Sequence, residues 1–106
     1  MEREAKYDAL VAAVTRAIND ADPMGLLELG APADEYEQEV HTIIPRLGTA
    51  ADASGVARIL HEEFVRWSDE RIAGPEDAYV EPARRIWEAV VEFRRPADLH
   101  TRGVDE

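Results

Sequence analysis

Apolar positions recur every three or four residues in four separate stretches of this chain, and nowhere do they alternate as a half-buried strand requires. Tyr7, Leu10, Val11, Val14 and Ile18 line one face of a first helix predicted from Glu2 to Asp20, with Arg3, Lys6, Asp8 and Arg16 on the others. Asp22-Pro23, Gly25 and the run from Gly30 to Pro32 interrupt that rhythm, so 20–31 reads as a connection. Met24, Leu26, Leu27 and Leu29 make it apolar enough to fold back over the core. A second helix is predicted to open at Pro32, where a missing N–H costs nothing. It carries Tyr36, Val40, Ile43, Ile44 and Leu47, bends or ends at Pro45, and stops by Gly48.

A third helix starts near Asp52 or Ser54, either of which suits an N-cap. It places Val56, Ile59, Leu60, Phe64 and Trp67 on one face and ends near Ala73, before Gly74-Pro75. Glu76 to Glu81 is expected to hold at most a short helical turn. Pro82 opens a fourth helix bearing Ile86, Trp87, Val90, Val91 and Phe93, which ends before Pro96. The expectation is an all-α fold: a compact bundle of about four helices, neighbours mostly antiparallel, in one domain over 1–96 with a polar tail over 97–106.

Charge narrows the function. Twelve Lys and Arg against 23 Asp and Glu leave a formal −11 on 106 residues, spread over a folded surface of about 6,000 Å². Direct nucleic-acid binding and anionic membranes are disfavoured, because both need basic side chains. A basic protein partner would instead be steered inward. There is no cysteine, hence no disulfide, thiolate metal site or cysteine nucleophile. No apolar run resembles a signal peptide or membrane span, so the expected location is the cytoplasm.

The charge is also local. Between Arg16 and Arg46 there is no Lys or Arg, while Asp20, Asp22, Glu28, Asp34, Glu35, Glu37 and Glu39 all fall inside. One reading is a docking face for a cationic partner, with Glu28, Asp34, Glu35, Glu37 and Glu39 as charged contacts and Met24 and Leu27 as apolar ones. The competing reading assigns Asp34 and Glu35 to the first turn of the second helix, where carboxylates offset the helix dipole and Asp34 completes a capping box. Glu37 and Glu39 are then the better contact candidates.

Within this stretch, Asp22-Pro23, Gly25-Leu26-Leu27, Ala31-Pro32-Ala33-Asp34-Glu35-Tyr36 and Glu39-Val40 resemble the small bacterial YugE-like family of unknown function. There a D-P-x-G-L segment leads into a helix opening A-P-x-D-E-Y. The likeness covers about the first half of the chain. Members often carry Trp before the Asp-Pro, where this chain has Ala21, so any role of that ring is lost or moved. The resemblance implies a helical fold and no catalytic assignment; related small domains are suspected immunity proteins against bacterial toxins.

Catalytic and metal patterns are weak. Glu37 and His41 share a helix face, but His61-Glu62 is followed by Val65 where H-E-x-x-H needs a second histidine. A carboxylate set for Mg²⁺ or Ca²⁺ would have to combine Asp34, Glu35, Glu62 and Glu63. Neither Ser54 nor Ser68 lies in a nucleophile motif, and no Gly-rich loop suits a phosphate. Trp67 and Trp87 fall in apolar stripes and are expected in the core; Arg94 and Arg95 suit a helix C-terminus. The sequence therefore predicts a non-catalytic, acidic protein-binding module without cofactor or metal, of inhibitor or immunity type. The alternatives are a divalent-metal accessory enzyme and a homodimer formed through the apolar second connection.

Overall fold

A computed structural model describes residues 2–23, 25–32 and 34–95. Met24, Ala33 and the expected tail over 97–106 lie outside the described residues. The described chain forms five α-helices and two 3₁₀ segments with no strand among them: α1 (Glu2–Ala21), α2 (Glu37–Ile43), a 3₁₀ segment (Ile44–Thr49), α3 (Ala53–Trp67), α4 (Glu70–Ala73), a second 3₁₀ segment (Glu76–Tyr79) and α5 (Val80–Arg94). The fold is the expected all-helical, single compact body.

Leu10, Val14, Ala17 and Ile18 are buried on α1, and Ala83, Ile86 and Val90 on α5. These faces make the most extensive helix pairing in the molecule, followed by α3 against α5. The direction is antiparallel: Tyr7 meets Phe93 edge-on at 6.5 Å, and Asp20 binds Arg85 at 3.1 Å near the other end. Rings fill the centre. Phe64 packs on Tyr36 at 5.7 Å and on Tyr79 at 5.5 Å, and all three are fully buried, each worth roughly 2–3 kcal/mol of apolar burial.

The second helix starts later than Pro32. The Glu35 N–H bonds Pro32 O and the Glu37 N–H bonds Asp34 O, both at 3.0 Å, so the chain turns tightly just before α2. Tyr36 stands at the N-cap with φ −96° and ψ 14° and makes no side-chain cap bond, because its ring is pulled into the core. Asp34 and Glu35 thus precede α2, and the capping box does not form. Pro45 lacks the N–H an α-helix would need there, and the chain tightens into 3₁₀ until Ala50 turns extended.

Asp52 caps α3, its carboxylate accepting the Gly55 N–H at 2.9 Å. The third helix does not run to Ala73. The Ser68 hydroxyl donates to Phe64 O at 2.7 Å, competing for the carbonyls of the last turn, and Ser68 leaves helical geometry at φ −127°, ψ −103°. Asp69 then caps a separate short helix by accepting the Ile72 N–H. Pro82 sits in the first turn of α5, two residues inside it, where the missing N–H still costs nothing.

Two arginines tie elements together. Arg94 donates from one nitrogen to Leu47 O, Gly48 O and Ala50 O at 3.0–3.2 Å, so it caps the end of the first 3₁₀ segment and not its own helix. Its guanidinium also lies 5.4 Å from the Trp87 ring, a cation–π contact. Arg46 binds Glu62 at 2.7 Å and Glu63 at 3.0 Å, with Glu63 only 2% exposed.

Candidate binding surface

The segment 22–37 is built around one carboxylate. Asp22 ends α1 in the left-handed region at φ 47°, which Asp tolerates better than most side chains. Its Oδ1 accepts the Tyr36 hydroxyl at 2.5 Å and the Leu27 N–H at 3.0 Å, and its Oδ2 accepts the Glu28 N–H at 3.0 Å. The Tyr36 hydroxyl in turn accepts the Leu26 N–H at 3.3 Å. The Tyr36 hydroxyl holds the Asp22 carboxyl below the usual carboxylate range against some desolvation, helped by the backbone N–H groups. Gly25 at φ 69° and Gly30 at φ 101° supply the reversals this tight path needs.

The residues of the motif therefore do structural work: the Asp of Asp-Pro and the Tyr that closes the acidic turn clip both ends of the loop together. Leu26 and Leu27 turn inward against the core and are half-buried. Leu29 points outward and is 83% exposed.

The seven acidic residues divide. Asp20 is paired with Arg85, Asp22 is the clip, and Glu39 is buried at 7% exposure with no hydrogen-bond partner for Oε1. The expectation that Glu39 faces a partner is corrected here: it lies three residues after Tyr36 and four before Ile43, on the edge of the buried stripe. Burial pushes its carboxyl above the usual range, and the Glu35 charge pushes the same way. Glu28, Asp34, Glu35 and Glu37 remain exposed, around the turn that Tyr36 anchors. Met24 lies outside the described residues.

Trp67 is 42% exposed, against the core position expected of it. It stands in the last turn of α3, and its indole N–H donates to Thr42 Oγ1 on α2 at 3.1 Å. That brings an aromatic edge against α2, which no feature of the apolar stripe foretold.

Among the described residues no three or more His, Asp or Glu gather closely enough to hold a metal ion. Glu62 and Glu63 are bound by Arg46 and stand apart from Asp34 and Glu35. His61 Nε2 meets Gly74 O at 2.9 Å; a carbonyl only accepts, so this nitrogen carries the proton. Ser54 is exposed and Ser68 is spent on Phe64 O. No helix among the described residues is long and apolar enough to cross a membrane.

Fold and surface together define a small helical domain with an acidic, clipped loop at one end. No protein-family model, curated protein or solved structure matches this chain.

Proposed function

We propose that this chain is a cytoplasmic, non-catalytic binding protein whose acidic end docks a basic protein, in the manner of an inhibitor or immunity protein. The observation that carries the reading is the juxtaposition of exposed Glu28, Asp34, Glu35 and Glu37 with the outward Leu29 on a loop held in shape by Asp22 and Tyr36. Negative charge without an interleaved cation steers a basic surface inward and speeds association. A projecting leucine on a pre-ordered loop supplies an apolar anchor with little ordering left to do at binding. The likeness of this same segment to the YugE-like family supports a shared helical fold and agrees with an immunity-type role.

The test is a pull-down from host lysate at low and moderate salt, run in parallel with the wild type and a Glu28→Lys/Glu35→Lys/Glu37→Lys variant. One stoichiometric basic protein retained by the wild type and lost by the folded variant supports the reading. Equal retention by both would remove this face as the docking site.

A further inference from the structure

Among the described residues two carboxyl side chains are buried, those of Glu39 and Glu63. They are held differently. Glu63 takes Arg46 at 3.0 Å, whereas Glu39 has no ion pair and its Oε1 accepts no hydrogen bond. The charged groups on the elements packed against α2 are turned elsewhere. Arg46 binds Glu62 and Glu63, Arg66 lies 3.9 Å from Glu63, His61 meets Gly74 O, and Asp20 on α1 is held by Arg85. Arg16, Glu37, His41 and Arg58 are exposed. The charge that does bear on Glu39 is that of Glu35, one turn earlier, and it repels. In such a place an ionised carboxyl is costly and a protonated one is not.

The backbone beneath this carboxyl is tied to α3. The Trp67 indole N–H donates to Thr42 Oγ1 at 3.1 Å, and the Thr42 hydroxyl donates on to Glu39 O at 3.1 Å. Glu39 and Thr42 are three positions apart and share a face of α2, so the indole edge lies against the face that carries Glu39. The turn itself is weakly held. With seven residues and no side-chain cap at its start, α2 is too short to persist without its packing. Opening one such turn costs far less than unfolding the core.

We propose that Glu39, Thr42 and Trp67 form a proton-operated catch between α2 and α3. With the Glu39 carboxyl protonated, the first turn of α2 is seated and the relay from Trp67 is closed. Loss of that proton turns the carboxylate out to water, carries the turn with it and releases the indole N–H. The outer surface of α2 then presents Glu39 together with Glu37. The coupling is reciprocal: whatever the closed relay contributes to the seat also holds the proton on Glu39. The catch belongs to α2 and α3 and stands whether or not the acidic end docks a partner.

The test is an NMR titration between about pH 3 and 8, following the Glu39 carboxyl carbon and the Trp67 indole N–H in one sample. Burial and Glu35 place the Glu39 midpoint above the ordinary carboxylate range, and the indole resonance should shift with that same midpoint. In Glu39→Gln the indole signal should stay flat. Trp67→Phe removes the N–H and keeps an aromatic ring, while Thr42→Val removes the hydroxyl and keeps the branched shape. Each should lower the Glu39 midpoint towards its ordinary range, with helical circular dichroism unchanged. An indole that does not move, that follows another midpoint, or that still shifts in Glu39→Gln would overturn the catch. So would a Glu39 midpoint unchanged in either relay variant, because the carboxyl then titrates by side-chain rotation alone.

Discussion

Removing one hydroxyl from the core offers a quantitative check on how the loop after α4 is held. Tyr79 is fully buried, and its hydroxyl donates to Ala73 O at 2.6 Å, fastening the chain just before Gly74. Tyr79→Phe keeps the ring and its contacts with Phe64 and His61, so the change isolates the hydrogen bond. Losing its net contribution and stranding a buried carbonyl should cost about 1–3 kcal/mol at neutral pH. Burial, with Tyr36 pushing in the same direction, raises the phenol to about 12, against about 10 in an unfolded chain. A phenol that resists ionisation when folded contributes stability in full below pH 10 and loses it as the pH rises through 12. Two pH units correspond to at most about 2.7 kcal/mol, so the advantage of the wild type over the variant should shrink through that window and approach zero or reverse. The assay is urea unfolding of both proteins at neutral pH and in steps between about pH 9 and 12. Every other ionisable group is common to the two proteins, so the difference isolates Tyr79. A variant as stable as the wild type at neutral pH, or a difference that stays flat to pH 12, would refute the reasoning.

Other perturbations follow from the charged groups. Arg46→Ala leaves the Glu63 carboxylate buried beside only the distant Arg66 at 3.9 Å and should cost about 2–3 kcal/mol, below the fully buried case because the guanidinium is partly exposed. Glu62→Gln, by contrast, should change chemical-denaturation stability by less than about 0.5 kcal/mol. Asp22→Asn should weaken the loop clip; because the folded carboxyl lies below its ordinary range, the wild-type advantage is present above that range and fades as the pH falls through it. Amide exchange at Leu27 and Glu28 should accelerate in the same variant. Glu39→Gln should leave stability equal or higher at neutral pH, since a carboxyl raised by burial stabilises the fold only while protonated and loses that contribution as the pH rises. In thermal melts, the gain should vanish in acid.

Much of the helical framework was legible because apolar spacing reports burial directly. Leu10, Val14 and Ile18, and then Ile86 and Val90, landed in the core as their spacing predicts. Boundaries set by distant partners were not. Pro32 is a sound local start signal, yet the chain reaches helical geometry only after Tyr36, whose ring and hydroxyl are engaged by Phe64 and Asp22. The end of α3 was misplaced because Ser68 and Asp69 outweigh an uninterrupted pattern of helix-compatible residues. On the acidic surface, counting charges identified the right segment and could not rank its members. Glu39 shares the edge of a buried stripe, which the spacing from Tyr36 and Ile43 could have signalled. Asp22 is taken up by the Tyr36 hydroxyl and the Leu27 and Glu28 amides, partners that charge counting does not show. Trp67 fits its stripe well, but it stands in the last turn of α3, where its ring is 42% exposed.

The pairing of α1 with α5 also orders events during synthesis. Leu10, Val14 and Ile18 leave the ribosome first, while Ile86 and Val90, against which they close, follow roughly 70 residues later, several seconds at ordinary elongation rates. Throughout that interval the first helix lacks its main packing partner. An α5 emerging from a neighbouring ribosome offers the same seat, so exchange of first helices between chains is the misassembly this topology invites. The Asp22–Tyr36 clip opposes it. It joins only residues made early, so its closure does not wait for the synthesis of α5.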